Sequence, residues 1–274
     1  MTIPNFVLSN GVSIPAMGFG TYPLRGPEGV AAVRSALSLG YRLIDTAENY
    51  GNEIEVGQGL RESGVAREEV FLTTKFNREW HSVDGARHAA AASMKRLGVD
   101  YLDLLLIHWP NPDQDRYIEA FQGLLALLDE GIVRAVGTSN FKPAHLERVR
   151  AATGASPHVN QINLTPWAAR VPSVEYDDAH HILTESWSPI KPATILADPV
   201  VTSVAAAHAA TPAQVILRWD YQHGRLAIPK SSHPARQAEN LASFDVTLTD
   251  ADMAALDGLD QGESRVTDSD HFGH

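Results

Sequence analysis

The sequence predicts a (β/α)₈ barrel, and three observations carry that expectation. Short apolar or β-branched runs alternate with segments of helical spacing along the chain, the pattern of a parallel sheet joined by crossover helices. There are eight such runs, near Ala16–Thr21, Arg42–Asp45, Val70–Lys75, Leu102–His108, Val133–Ser139, Val159–Asn163, Ile182–Trp187 and Leu226–Lys230. Finally, Asp45, Tyr50, Lys75 and His108 lie at or just beyond the C-terminal ends of the runs RLID, VFLTTK and LDLLLIHWP, the end at which a barrel gathers its functional groups. A doubly wound open sheet is the competing architecture.

Taken in order, the opening FVLSNGVSIP places Asn10-Gly11 between apolar residues, a hairpin signal ahead of the first barrel strand, and the hairpin is expected to plug the barrel floor. Helical spacing follows at Gly29–Leu39, Ile54–Glu62, Gly85–Leu97, Tyr117–Leu128 and Ala144–Ala151. From Pro199 to His223 an alanine-rich stretch reads as two helices, with Thr211 capping the second and Pro212 at its first position. The segment Leu248-Thr249-Asp250-Ala251-Asp252 starts a further helix in the same way. The tail from Gly262 to His274 is polar and aperiodic, so it is either disordered or a loop that orders over a pocket.

A chain of 274 residues fits one barrel domain spanning 1–274, since such a barrel typically takes roughly 250. The balance of 22 Lys+Arg against 33 Asp+Glu, net −11, argues against a nucleic-acid or anionic-membrane surface, and any phosphate site must be local. The segment MTIPNFVLSNGVSIP lacks the basic and apolar regions of a signal peptide, and no apolar run approaches the ~18 residues of a membrane helix, so a cytoplasmic location is expected. With no cysteine, the chemistry must use oxygen and nitrogen. Neither His180-His181 nor His271 with His274 forms a ligand set, so no metal is expected.

The four strand-end residues define a chemistry. A phenol with a reference pKa of ~10 is a poor acid at neutral pH unless a cation stabilises its phenolate, and Lys75 could supply that cation beside Tyr50. Asp45 would keep the lysine charged and fix its direction, while His108 adds a neutral donor. Together they could protonate a carbonyl oxygen as hydride arrives on carbon. Singly, an Asp–Lys pair is more often structural, and a lone histidine or tyrosine is more often packing. All four at barrel strand ends favour catalysis.

The same residues resemble the aldo-keto reductases. Gly40-Tyr41-Arg42-Leu43-Ile44-Asp45-Thr46-Ala47 followed by Tyr50-Gly51-Asn52-Glu53 is similar to the family's first signature, Gly137-Thr138-Ser139-Asn140-Phe141 to a central one, and Ile228-Pro229-Lys230-Ser231 with Arg236, Glu239 and Asn240 to its last. Through SIPAMGFGTY, TPAQVILRW and AENLASFDV, the chain is most similar to bacterial 2,5-diketo-D-gluconic acid reductases. The resemblance implies Tyr50 as general acid, Lys75 and Asp45 as its tuning pair, and His108 orienting the substrate carbonyl. It implies that Ser139, Asn140 and Gln161 bind the nicotinamide carboxamide and that Trp187 stacks on the ring, with Gly20, Thr21, Tyr22, Asp45, Ser188 and Pro189 also at the cofactor. Lys230, Ser231 and Arg236 would hold an adenosine 2′-phosphate, with Glu239 and Asn240 nearby, which favours NADPH over a weaker NADH. Tyr22, Asn77, Trp80, His108 and Trp109 would line the substrate pocket.

The chain lacks a Rossmann fingerprint, since Gly18-Phe19-Gly20-Thr21-Tyr22-Pro23 has neither the third glycine nor the helix start. That agrees with a family that lays its dinucleotide across a barrel mouth. Departures from the family pattern are Trp187 for tyrosine, Asn163 for glutamate, Leu43 and Thr138 in place of more frequent residues, Asn77 for tryptophan and His233 for arginine, the last removing a permanent charge near the phosphate. The loop after Pro189 is short. The expected activity is NADPH-dependent reduction of small aldehydes or ketones, including keto-sugar acids or α-diketones, by a monomer. Two other classes compete: an NADPH-binding sensor with negligible turnover, and a barrel glycosidase built on Glu48, Asp103 and Glu185. Asp103 starts its run and falls at the wrong face for the latter.

Overall fold

The structure, a computed structural model, describes residues 3–274. Strands β1 (Asn5–Val7) and β2 (Ser13–Pro15) form an antiparallel hairpin with Val7 opposite Ser13. The Asn10-Gly11 pair makes its turn in a longer form than a two-residue loop. Gly11 N–H donates to Leu8 O at 2.8 Å and Leu8 N–H to Val12 O at 2.9 Å, and Gly11 alone takes the left-handed φ of +83°. Asn10 is used instead by its side chain, which donates to Arg134 O at 3.0 Å and ties the hairpin to the barrel. Leu8 and Ile14 pack with the inward residues Leu43, Phe71, Leu104, Ala135, Val159 and Leu226. The hairpin therefore seals the floor.

Eight parallel strands follow: β3 (Phe19–Gly20), β4 (Leu43–Asp45), β5 (Phe71–Phe76), β6 (Leu102–Ile107), β7 (Val133–Ser139), β8 (Val159–Asn163), β9 (Leu183–Trp187) and β10 (Leu226–Ile228). Each pairs with its sequence neighbour. The sheet then closes, because Met17 bridges Ala227, Gly18 N–H donates to Ala227 O and Gly20 N–H donates to Pro229 O, both at 3.0 Å. That seam excludes the open sheet. It is also the place where two expected strands are shorter than their apolar runs: β3 pairs only at Phe19–Gly20, and β10 stops at Ile228 because Pro229 has no N–H to extend the ladder.

The helices are α1 (Gly26–Leu39), α2 (Glu53–Glu62), α3 (Val83–Leu97), α4 (Tyr117–Asp129), α5 (Pro143–Thr153), α6 (Val171–Ala179), α7 (Pro199–Ala207), α8 (Pro212–Gln222), α9 (Pro234–Leu241) and α10 (Asp250–Asp257). Thr211 caps α8 by accepting from Gln214 N–H while the Gln214 side chain returns to Thr211 N–H, and Thr249 with Asp252 repeats the device on α10. Helices α6 and α9 fall outside the segments of helical spacing in the sequence. The signal both share is a proline in the first turn, Pro172 and Pro234. No single described helix is long and apolar enough to cross a membrane.

Helix α2 shows how tightly this shell is packed. A Cβ on Gly57 would lie 2.0 Å from Leu97 O at the end of α3, and one on Gly59 would lie 2.8 Å from Val33 Cβ on α1. Helix propensity favours alanine over glycine by about 1 kcal/mol. The clash at Gly57 is with backbone and cannot be relieved by rotating a side chain, so Gly57→Ala should destabilise by about 1–3 kcal/mol or more despite that gain. Urea unfolding followed by circular dichroism checks this; a stabilised variant would contradict the packing described.

Candidate active site

Asp45 ends β4, Lys75 lies within β5, and His108 follows β6 directly, its N–H donating to Phe76 O at 3.0 Å. Tyr50 sits on a 3₁₀ turn, Glu48–Tyr50, that follows β4 and is closed by Gly51 at φ +64°. Three side chains fix this turn. Asn52 accepts from Thr46 Oγ1 and donates to Thr21 O and Leu24 O, Arg25 Nε donates to Tyr50 O at 2.9 Å, and Trp80 Nε1 donates to Glu48 Oε1 at 3.1 Å. The four expected residues thus converge on the C-terminal mouth of the barrel.

Lys75 is fully buried, and each of its protons has an acceptor. Its Nζ donates to both oxygens of Asp45 at 2.8 Å, to Thr46 O at 2.9 Å and to the Tyr50 hydroxyl at 3.3 Å. Burial alone would favour loss of the proton; the charge of Asp45 outweighs it and holds Lys75 above the ordinary lysine value. Burial likewise raises the Tyr50 phenol, with the ammonium of Lys75 pulling it back. The His108 ring packs edge-on against Tyr50 at 5.8 Å, and burial, then Lys75 and His274, push its pKa well below the usual histidine value. His108 is therefore a neutral imidazole across the physiological range.

Beside this group lie the residues expected at a nicotinamide. Ser139 ends β7 and donates to Gln161 O at 2.9 Å; Asn140, at φ +64°, donates to His108 O and Ser139 Oγ and accepts from Trp187 Nε1 at 3.0 Å. Gln161 Nε2 donates to Asp45 Oδ2 at 2.9 Å and to Glu185 Oε1 at 2.5 Å. These contacts make one lattice of the ends of β4, β7, β8 and β9. Around the same mouth, several buried polar atoms lack any partner, among them Thr21 Oγ1, Asn77 Oδ1, His108 Nδ1, Trp109 Nε1 and Glu185 Oε2. Buried polar atoms are rarely left so, and their clustering at one rim fits a polar ligand seated there.

Further along the rim, Lys230, His233 and Arg236 are exposed where β10 meets α9, and neither Lys230 nor Arg236 makes an ion pair among the described residues. Ser231 is buried and accepts from His233 N–H. Gly20 approaches Ile228 so closely that a Cβ would sit 3.0 Å from its Cγ2, and Ser188 takes φ +52° next to Pro189. Glu239 accepts from Thr211 Oγ1 at 2.7 Å, and Asn240 is buried.

Tyr22 is exposed with its ring 5.1 Å from Tyr50, and Trp109 stacks on His108. The tail supplies two walls that the sequence left open. Lys142 pairs with Asp268 and Asp270, His145 Nε2 lies 3.0 Å from Asp270, Phe272 packs on Trp109 at 4.9 Å, and His274 packs on His108 at 4.9 Å. The tail is ordered across the pocket. Asp103, by contrast, sits at the opposite end of the barrel between Arg67 and Arg134, so it forms no carboxylate pair with Glu48 or Glu185.

The aldo/keto reductase family model matches residues 16–261. The chain belongs to that family. As a member, this oxidoreductase is 44% identical over 272 residues to morphine 6-dehydrogenase of Pseudomonas putida, covering 94% of this chain and 92% of that one. It is 41% identical over 273 residues to 2,5-diketo-D-gluconic acid reductase B of a Corynebacterium species, covering 99% and 98%. Among solved structures, a substituted form of Gox0644 in complex with NADPH superposes with a TM-score of 0.95 at 38% identity, over 99% of both chains. The reductase thus shares a whole barrel, rather than a motif, with its relatives.

Proposed function

We propose that this reductase uses NADPH to convert small aldehydes and ketones to alcohols, with Tyr50 as the proton donor. The observation that carries the reading is the bonding of Lys75, whose three protons go to Asp45, the Thr46 carbonyl and the Tyr50 hydroxyl. A reduced nicotinamide, when bound, supplies the hydride. The protein must then deliver a proton to an oxygen that is becoming an alkoxide. Tyr50 gives that proton, its phenolate is met by Lys75, and neutral His108 donates a hydrogen bond that fixes the carbonyl. Asp45 keeps Lys75 charged at a depth where an ammonium would otherwise be unstable.

The residues present fit a dinucleotide phosphate. The unpartnered atoms of Thr21 and His108, with Ser139, Asn140 and Gln161, offer polar contacts to a carboxamide, and Trp187 offers an aromatic face. Gly20, Tyr22, Ser188 and Pro189 would flank the cofactor, and Glu239 and Asn240 would lie towards its adenine. Lys230, Ser231 and Arg236 would hold the 2′-phosphate, the two cations having no acidic partner of their own. Arg236→Ala should therefore raise the KM for NADPH by about 10-fold while changing that for NADH less than about 2-fold, because NADH has no 2′-phosphate to lose contact with. Equal changes in the two would remove Arg236 from the phosphate site.

For the substrate, Tyr22, His108, Trp109, Phe272 and His274, which pack ring against ring about the mouth, would with Asn77 and Trp80 line a mostly aromatic pocket. Such a wall suits flat or ring-bearing carbonyl compounds, α-diketones and keto-sugar derivatives, in keeping with relatives named for a diketo acid and for morphine. Reduction of a panel of these compounds, read as NADPH consumption, ranks them; a panel with no turnover by a folded protein would sink the proposal.

A further inference from the structure

We propose that Glu185 is a fifth ionisable member of this network, a positioning residue that acts through Gln161 on Asp45, Lys75 and Tyr50 and sets the alkaline limit of turnover. The effect on turnover rests on the function proposed above. Glu185 lies on β9 with no exposed surface. Its Oε1 accepts from Gln161 Nε2, the same nitrogen that donates to Asp45 Oδ2, while its Oε2 has no partner. The charged or titratable groups facing it are Asp45 from β4, Lys75 from β5 and Tyr50 from the 3₁₀ turn. From β8 comes only the neutral Gln161, and the paired strand β10 offers only apolar residues, Leu226 to Ile228.

Two carboxyl groups therefore share one amide nitrogen, with one ammonium to balance them. Both cannot be ionised cheaply in a buried site. Asp45 holds Lys75 with both oxygens, so Asp45 carries the charge and Glu185 the proton, for which the unpartnered Oε2 has room. Burial, then the charge of Asp45, lift the Glu185 carboxyl well above the usual carboxylate range, with Gln161 and Lys75 opposing. While Glu185 is protonated, Asp45 and Lys75 sum to zero and a phenolate at Tyr50 is met by a cation. Once Glu185 ionises, the cluster gains a second buried anion, and that anion opposes loss of the Tyr50 proton. The same contacts hold Gln161 with its nitrogen towards the two carboxyls, which turns its carbonyl oxygen away from them as an acceptor.

Glu185→Gln keeps an oxygen for Gln161 and removes the ionisation. Reduction rates measured from about pH 6 to about pH 10 should show the alkaline fall of the variant displaced upwards by about one pH unit, with kcat near neutrality within about 3-fold of wild type. Glu185→Asp, which stays ionisable, should keep an alkaline component. Superimposable profiles for wild type and Glu185→Gln would overturn the proposal. A second readout needs no turnover and no variant to fold: wild type labelled with carbon-13 glutamate should show a protonated-carboxyl infrared band near about pH 7 that disappears towards about pH 10. Where Glu185→Gln folds, it should lack that band. Absence of the band in wild type overturns the role of Glu185 whether or not any carbonyl is reduced. A wild type that shows the band and reduces no carbonyl overturns the proposed function alone.

Discussion

Replacing Tyr50 with phenylalanine is expected to lower kcat for carbonyl reduction by about 10²–10⁴-fold while leaving NADPH affinity within about 2-fold, the loss assigned to a positioned general acid. The asymmetry follows from what the hydroxyl touches. Its one polar contact is Lys75 at 3.3 Å, so removing it deletes the proton donor and leaves the lattice of Ser139, Asn140 and Gln161 as it was. The ring also keeps its packing against Tyr22 and His108. Binding is read by quenching of tryptophan fluorescence and turnover by NADPH absorbance. Undiminished kcat would place the acid elsewhere.

Lys75→Met has a larger expected effect because it acts on stability as well as on rate. The methionine leaves the Asp45 carboxylate buried with only Gln161 to meet it, and removing one partner of a buried ion pair costs about 3–5 kcal/mol. The kcat should fall by about 10²-fold or more as the phenolate loses its cation. Asp45→Asn combined with Lys75→Met removes the stranded charge, so it should recover most of the lost stability and none of the activity. This double variant separates a structural ion pair from a catalytic one. If the pair were merely structural, activity would return with stability; thermal unfolding alongside reductase assays decides the matter.

The alternation of runs was enough to expect eight strands, since periodicity and turn chemistry are local properties. Thr211, Pro212 and Thr249 marked helix starts for the same reason, and β7 and β8 fall where their apolar runs lie. What the residues did not disclose is long-range. The closure of the barrel depends on Met17 meeting Ala227 across most of the chain, and nothing near either residue announces it. The tail was ambiguous because its order comes from Lys142 and His145 on α5, outside the tail itself. Phe272 and His274 were missed as pocket walls for that reason. Glu185 was weighed as half of a glycosidase pair because a carboxylate at a strand end invites that reading. Its neighbour is instead the amide of Gln161, which it shares with Asp45.

The residues of the candidate site were legible in unequal degree. Asp45, Lys75, Tyr50 and His108 could be placed together because barrel topology brings strand ends to one mouth. The ties among Asn140, Trp187 and His108 could not be read from sequence, since an Asn backbone at φ +64° and a Trp N–H reaching across to β7's end are matters of geometry. Those ties mean that a ligand in the mouth meets a preformed surface, whose side chains are already held by one another.

The account is tested most directly by incubating the wild-type protein with NADPH deuterated at the reactive nicotinamide carbon and a panel of aldehydes and α-diketones, then analysing the alcohols formed. The account predicts consumption of NADPH matched one to one by alcohol, with deuterium on the carbinol carbon. NADPH bound tightly by the folded protein and left unconsumed across the panel would contradict it, and would make this barrel a nucleotide-binding protein rather than a reductase.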